Sequence, residues 1–316
     1  MPVGFTRKIA IKIIEKLSNF KISKDISLAV CPERTAEGKA LVELDTLPQI
    51  VGAADDLSYE LASRLFNINT HTVIDVGDTD SAEMCKILDN TFRDTIFAFS
   101  NQMALYCEKS NLNLKRLIDS VNLGYSRNFI PYPSPGVGGP CLSKDPYILI
   151  DNLKRMRVNS DLILSARKIN EYAPINIFNL IEKFKKNFKK KQNLKIFVMG
   201  LAFKGSPETS DLRDSTSLNI IDKLSKKYKN IYLYDRYIFN QDKKKQRFPF
   251  VSLIKGFSNA DVVLILNNSN YFKNIEIDNL ISKVNKPCLF FDGWQIFNVN
   301  ELKRNPNVIY KSVGMY

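Results

Sequence analysis

The segment PSPGVGGPCLSKDPYIL, from Pro133 to Leu149, gathers the residue types that chemistry needs. Gly136, Gly138 and Gly139 allow the backbone to pass close to a ligand, and Cys141 follows with Lys144 and Asp145 just behind it. A thiol in such company can be a nucleophile; it can equally be a small buried hydrophobe after a turn, and the segment alone leaves both open. The five cysteines, Cys31, Cys85, Cys107, Cys141 and Cys288, are odd in number, widely spaced and without a CxxC pair. Free thiols are therefore expected, rather than a disulfide framework or a zinc site. His71, the single histidine, sits between apparent strand residues, so any Ser-His or Cys-His pair would depend on that one side chain, and a structural role suits it better.

The elements that must position these groups alternate between helix and strand. Ile9, Ala10, Ile13, Ile14 and Leu17 recur at helical spacing, which predicts a helix from Phe5 to Leu17 with Thr6 as N-cap. ISLAVC (26–31), QIVGAA (49–54) and HTVIDV (71–76) read as strands, with LSYELASRLFN as a helix between the last two. Asp80-Ser-Ala-Glu83 resembles a capping box, and the run from there to about Ser110 has no Gly or Pro, which predicts one long helix. Lys86, Asn90, Asp94, Phe97 and Asn101 fall near one face of it, and Ile87, Leu88, Phe92, Ile96, Phe99 and Met103 on others. Helices at 112–121 and 161–184 flank the Gly/Pro-rich PYPSPGVGGPC, and the basic run from Lys183 to Lys195 is the best linker. From Leu194 onward, apolar strands alternate with helices, the pattern of a doubly wound parallel sheet. Ligands of such sheets sit beyond the carboxyl ends of the strands, where GLAFKG, YDRY, LNNSN and FDGW lie.

Lysine and arginine number 46 against 33 acidic residues, a net charge of +13 that favours anionic partners. The excess is concentrated in Lys183–Lys195 and in Lys243–Arg247, which read as solvated helix ends and loops; without a recognition motif or interleaved stacking aromatics, no nucleic-acid partner is expected. No apolar run approaches the roughly 18 to 20 residues of a spanning helix, and Arg7, Lys8, Lys12 and Lys16 interrupt any signal-like start, so no membrane partner and a cytoplasmic location are expected.

Four ordered segments together resemble the UDP-glucose/GDP-mannose dehydrogenase family, which oxidises nucleotide sugars to uronates with NAD. The Cys141 segment resembles that family's active-site cysteine loop, and CPERTAEGKALVEL (31–44) its Pro-Glu segment. SAEMCKILDNTFRDTIFAFSNQ (81–102) is similar to its central helix and GLAFKGSPETSDLRDS (200–215) to the start of its nucleotide-sugar domain. The resemblance implies an α/β fold: a remnant of an N-terminal Rossmann-like domain (1–78), a central long helix with a helical dimerisation region and the cysteine loop (79–190), and a C-terminal doubly wound, Rossmann-like domain that binds the UDP-sugar (191–316). It implies that Cys141 captures an aldehyde as a thiohemiacetal that is oxidised to a thioester and hydrolysed. Lys86 would then stabilise an oxyanion, Asn90 orient water or the sugar oxygen, and Asp145 activate water; taken by themselves, Lys86 and Asn90 read as an ordinary polar helix face. Glu33 and Glu37 match acidic residues facing the sugar and its attacking water, presented by a helical turn or a loop. Lys204 matches a substrate lysine, Arg213 an arginine that steadies phosphates, and Arg127 an arginine that reaches a neighbouring subunit's substrate. Gly138 and Gly139 fall to substrate binding and Lys144 to the cofactor. CPER, PGVGG and DPY resemble the UDP-N-acetylmannosamine/glucosamine branch, with UDP-glucose 6-dehydrogenase as the alternative and a homodimer as the assembly. Surface polysaccharide synthesis is the implied pathway.

The family's N-terminal half opens on a strand and a GxGxxG turn that holds the NAD pyrophosphate, and no such motif occurs in this sequence. Met1 to Phe5 aligns late in that domain, just after a Ser-Thr pair. The expectation is therefore that the main NAD-binding segment is missing, leaving Glu37, Lys144, the Cys141 loop and Arg213 as cofactor contacts. Activity would then require a separate NAD-domain polypeptide, or the chain would be a non-catalytic nucleotide-sugar-binding and dimerising fragment. Trp294, in FDGW, stands where better-known members carry arginine, and Pro140 where they carry His or Ser. Trp294 would stack on a sugar or base face, or simply pack; Pro140 removes one backbone donor from the loop.

Overall fold

The computed structural model describes residues 1–127, 129–190 and 193–315. The chain gathers into two compact units, one of Met1–Arg93 with Lys144–Leu164 and one of Asp94–Ser143 with Ser165–Tyr316. The expected segments 1–78, 79–190 and 191–316 are thus grouped differently, the middle one being shared between the units. Lys191, within the expected linker, lies outside the described residues.

In the first unit a five-residue π-type turn, Thr6–Ala10, runs into helix α1 (Ile11–Ser18). Thr6 does not act as its N-cap: the Glu83 carboxylate accepts from the backbone N–H groups of Gly4 (2.6 Å), Phe5 (3.2 Å) and Thr6 (2.9 Å) and from the Thr6 hydroxyl (2.7 Å). An acidic side chain from elsewhere in the chain thus satisfies the orphan donors of this helix start. Strands β1 (Ala29–Val30), β2 (Gln49–Ala53) and β3 (Val73–Asp75) form a mixed sheet in that order, antiparallel between β1 and β2 and parallel between β2 and β3. Between them lie α2 (Ala40–Thr46) and α3 (Asp56–Phe66), the latter capped by the Asp55 side chain accepting from Ser58 N at 2.8 Å.

Helix α4 (Thr79–Ser110) is the long helix the sequence predicts; it counts with the first unit up to Arg93 and with the second from Asp94. Its start is held by Asp78, whose carboxylate accepts from Ser81 N at 2.8 Å, while Glu83 is drawn away from the expected capping box to the chain's first turn. Gly52 fixes how α4 meets the sheet. A Cβ there would lie 2.2 Å from the Asp78 carbonyl oxygen and 2.8 Å from Ala82 Cβ, so only glycine lets β2 approach the turn from which α4 projects Lys86 and Asn90. The unit also holds α6 (Asp145–Arg155), which starts on an Asp-Pro pair suited to a first turn.

The second unit is built on a five-stranded parallel sheet, order β5-β4-β6-β7-β8, from β4 (Ile196–Met199), β5 (Ile231–Tyr234), β6 (Val262–Ile265), β7 (Cys288–Asp292) and β8 (Val308–Ser312). Both faces are covered. Ile196 and Val198 pack with Ile231, Leu233, Leu264 and Leu289 on one side, Phe197 and Met199 with Val263, Ile265 and Phe290 on the other. That two-sided burial is why these strands read as continuous apolar runs, as a doubly wound sheet requires. Helices α5 (Leu114–Asn122), α8 (Ala173–Asn187) and α9 (Thr216–Ser225) complete its frame, and α7 (Asp161–Asn170) passes from the first unit to the second at Leu164. The single helix expected over 161–184 is two, broken at Glu171–Tyr172, because Pro174 lacks the N–H that would continue it and begins α8 instead. Part of the basic run is committed to structure: Lys195 Nζ donates to the carbonyls of Lys255 and Ser258, and Lys190 lies 3.3 Å from Asp261. Among the described residues no helix is long and apolar enough to cross a membrane.

Candidate active site

In the first unit a cavity of about 520 Å³ is lined by Leu28–Glu33 from β1 and its exit, by Glu83, Lys86 and Ile87 from α4, and by Lys144 and Asp145 at the start of α6. Asp145, its side chain 4% exposed, is held from both sides: Asn90 Nδ2 donates to Oδ2 at 2.7 Å and Lys144 Nζ to Oδ1 at 2.8 Å. Each carboxylate oxygen carries two acceptor sites, so each keeps one for a further donor such as water. Asn90 is buried one helical turn below Lys86, and the Lys86 ammonium donates to the Glu33 carbonyl oxygen at 2.7 Å, with two further N–H groups to give.

Glu33 and Glu37 are both exposed, in irregular chain and in the turn before α2, so a loop rather than a helical turn presents them. The Thr35 N–H, 2.6 Å from Glu33 Oε1, is the main cause holding the Glu33 carboxyl below its ordinary range, with the Thr35 hydroxyl and the charge of Lys86 adding and burial opposing. A depressed carboxyl stabilises the folded form above the unfolded glutamate value, about 4.3, and that contribution disappears as pH falls through the lower folded value. Carbon-detected NMR titration of Glu33 is expected to give a midpoint below that of an unstructured glutamate; a midpoint at or above it would show that Thr35 does not hold the ionised form.

In the second unit Cys141 is a half-buried free thiol in the turn that follows Pro140. The glycines before it are crowded by protein: a Cβ on Gly138 would lie 2.3 Å from the Asp214 carbonyl oxygen, and one on Gly139, at φ +90, would lie 2.6 Å from the Phe203 ring. Gly139 N donates to Asp214 O at 2.9 Å and Ser143 Oγ to Asp214 Oδ2 at 3.1 Å. The cysteine loop is thereby seated on the segment 203–216, which carries Lys204 and Arg213. Lys204 Nζ lies 5.5 Å from the centre of the Phe203 ring, and Arg213 pairs with Asp211 at 2.6 Å. Arg127 is exposed, its guanidinium 5.0 Å from the Tyr125 ring centre. Trp294 is anchored by its indole N–H to the Leu266 carbonyl at 3.1 Å.

Two groups escape sequence reasoning. Glu83 lines the first unit's cavity while fixing the chain's first turn, and Arg167, 1% exposed, lies 2.6 Å from Asp94 and 3.1 Å from the Leu142 carbonyl. Glu83 meets its partners 77 to 79 residues away and Arg167 meets Asp94 and Leu142 at separations of 73 and 25, so no local pattern announces them; the one signal in the sequence is Asp94 on the polar face of α4.

Three family models match in order: the NAD binding domain of the UDP-glucose/GDP-mannose dehydrogenase family at residues 1–70, its central domain at 80–172 and its UDP binding domain at 197–299. The UDP-N-acetyl-D-mannosamine dehydrogenase of Pyrococcus horikoshii is 31% identical over 316 residues, 99% of this chain and 71% of the relative. Those of Methanocaldococcus jannaschii (32%, 88% of this chain) and Methanococcus vannielii (33%, 90%) are longer, and the chain spans 62% and 64% of their lengths. Among solved structures, the UDP-D-ManNAc dehydrogenase of Pyrococcus horikoshii superposes with a TM-score of 0.87 at 29% identity, over 99% of this chain and 71% of that one. The NDP-N-acetyl-D-galactosaminuronic acid dehydrogenase of Methanosarcina mazei Go1 gives 0.86 at 27%, over 100% and 68%. One expectation is corrected: residues 1–70 match the NAD binding domain itself, so the inference of a missing NAD segment, drawn from the want of a GxGxxG turn and from the late alignment of Met1 to Phe5, is not supported.

Proposed function

The chain belongs to the UDP-glucose/GDP-mannose dehydrogenase family, and on that premise we propose that it oxidises the C6 alcohol of a UDP-N-acetylhexosamine to the uronate with NAD. The observation that carries this reading is the Asp145 carboxylate, fixed between Asn90 and Lys144 on the wall of the first unit's cavity beside Lys86. The names of the relatives favour the N-acetylhexosamine.

The first unit's cavity suits the nicotinamide end of NAD: Leu28, Val30 and Ile87 offer apolar wall, and Lys86 and Lys144 offer cations for an anionic dinucleotide. Lys144 and the stretch Leu28–Cys31 would hold the cofactor, which when bound supplies the hydride acceptor. Two hydrides leave C6 in turn, so two NAD would be consumed per uronate. The first loss gives the C6 aldehyde, to which the Cys141 sulfur adds as a thiohemiacetal with loss of the thiol proton; the second gives the thioester, and water hydrolyses it to the carboxylate and the free thiol. Lys86, whose ammonium donates to the Glu33 carbonyl, keeps two N–H groups for stabilising an oxyanion. Asp145 takes the proton of the attacking water, and Asn90 keeps that carboxylate aimed. Glu37 takes a catalytic part at the attacking water, Glu33, Lys204, Arg127, Gly138 and Gly139 serve the nucleotide sugar, and Arg213 a phosphate. Leu88, Phe92, Phe99 and Tyr106, exposed at four- and seven-residue steps along α4, supply an apolar stripe for a homodimer.

Calorimetric titration with UDP-N-acetylmannosamine, UDP-N-acetylglucosamine and UDP-glucose, followed by an NADH assay, tests the reading. An N-acetylhexosamine nucleotide is expected to bind at least about tenfold more tightly than UDP-glucose, a difference of roughly 1.4 kcal/mol. Preference for UDP-glucose would move the substrate to the other branch, and binding without NADH formation would make the chain a binding module.

A further inference from the structure

We propose that Asp94, Asn101, Arg167 and Asn170 are positioning residues for Cys141, acting as one buried hydrogen-bonded chain that grips the cysteine loop on both sides of the thiol. The inference rests on the reading of Cys141 as nucleophile. Starting upstream of the thiol, Ser134 N donates to Asn101 Oδ1 at 2.8 Å and Asn101 Nδ2 to Asn170 Oδ1 at 2.9 Å. Asn170 Nδ2 donates to Asp94 Oδ1 at 2.8 Å and to the Asp94 carbonyl at 2.9 Å. Arg167 Nη1 donates to the same Asp94 Oδ1 at 2.6 Å and to the Leu142 carbonyl, the residue next to Cys141, at 3.1 Å. Asp94 and Asn101 stand two turns apart on α4, and Arg167 and Asn170 one turn apart on α7, so each pair shares a helix face. Their exposures are 0%, 8%, 1% and 0%.

Both ends of this chain terminate on the backbone of one loop. The residues between the anchors, Pro135 to Cys141, include three glycines and no regular element, so the fixed φ of Pro135 and Pro140 is the main local restraint and does not by itself set the position of the thiol. Gly139 N on Asp214 O ties the opposite side. Burying four polar side chains where apolar ones would fill the same helix contact is costly for stability alone, and what it achieves here is a fixed backbone at 134 and 142.

The test is alkylation of the purified chain by iodoacetamide, each cysteine followed by peptide mapping. Buried Cys107 and Cys288, in the same unit, report whether that unit stays folded. Arg167→Met is expected to change the Cys141 rate by at least about fivefold while Cys107 and Cys288 remain protected, and Arg167→Lys, whose ammonium can still bridge Asp94 and Leu142 O, to return it to within about twofold. Should Arg167→Met expose Cys107 and Cys288, Asn101→Ala, which leaves the Asp94–Arg167 pair in place, is judged by the same fivefold change. Cys141 rates within about twofold of the parent in the folded variants overturn the proposal, as does a change that Arg167→Lys does not reverse. Because alkylation needs no turnover, an active Cys141→Ala chain would overturn the nucleophile reading separately.

Discussion

Replacement of Cys141 by alanine is expected to lower NADH production from the UDP-sugar by about a thousandfold or more while leaving UDP-sugar affinity within about threefold, because the covalent step is lost and the binding groups remain. Two other half-buried thiols make the comparison sharp. Cys31 lines the first unit's cavity and Cys85 lies on α4. Burial pushes the Cys31 thiol up, which keeps it protonated near neutral pH and makes it a poor nucleophile. Cys85, which has no part in the proposed chemistry, is expected on replacement by alanine to stay within about threefold of the parent chain, and a collapse of turnover on Cys31→Ala with Cys141→Ala still active would transfer the nucleophile to the other unit. Steady-state rates, with calorimetry for the binding term, separate these outcomes.

What was legible in the sequence follows from what is local. The Gly- and Pro-free run after Gly77 announces α4, and the unbroken apolar runs of β4, β6 and β7 announce a sheet covered on both faces. Lys86 and Asn90 are one turn apart on the same helix, so their common face could be read from spacing. Contacts made across the chain were not legible. Glu83 reads as a capping-box residue because Asp80 precedes it, yet its carboxylate serves donors 77 to 79 residues away. Pro174 ends a helical pattern that periodicity alone carries through to Phe184. The glycines of the cysteine loop suggest a ligand, whereas the groups crowding Gly138 and Gly139 are Asp214 and Phe203. Residues 1–70 match the NAD binding domain without a GxGxxG turn, so for this domain a single turn motif is a poorer guide than the alternation of strand and helix from α1 to β3.

Asp94→Ala is expected to cost the second unit about 3–5 kcal/mol, because it strands the Arg167 guanidinium in an interior where its side chain is 2% exposed. Burial alone would lower the Arg167 pKa; the Asp94 carboxylate, with Glu171, more than offsets it and keeps the arginine charged, so removing Asp94 leaves an uncompensated cation. Replacing both partners with apolar residues of similar volume, Asp94→Leu with Arg167→Met, removes the buried charge along with its counterion and is expected to recover most of the loss. Cys288, fully buried in β7, supplies the probe: pulsed thiol labelling against urea reports the opening of the unit that contains it. The single variant should shift the labelling midpoint well below that of the parent and the double variant should restore it, while the loop clamp remains broken in both. Stability and positioning then come apart, since a restored midpoint with an altered Cys141 alkylation rate assigns the pair to holding the loop rather than to holding the fold. An unmoved midpoint in Asp94→Ala would mean that the guanidinium finds water or Glu171 instead, and that the pair is not the buried constraint its distances describe.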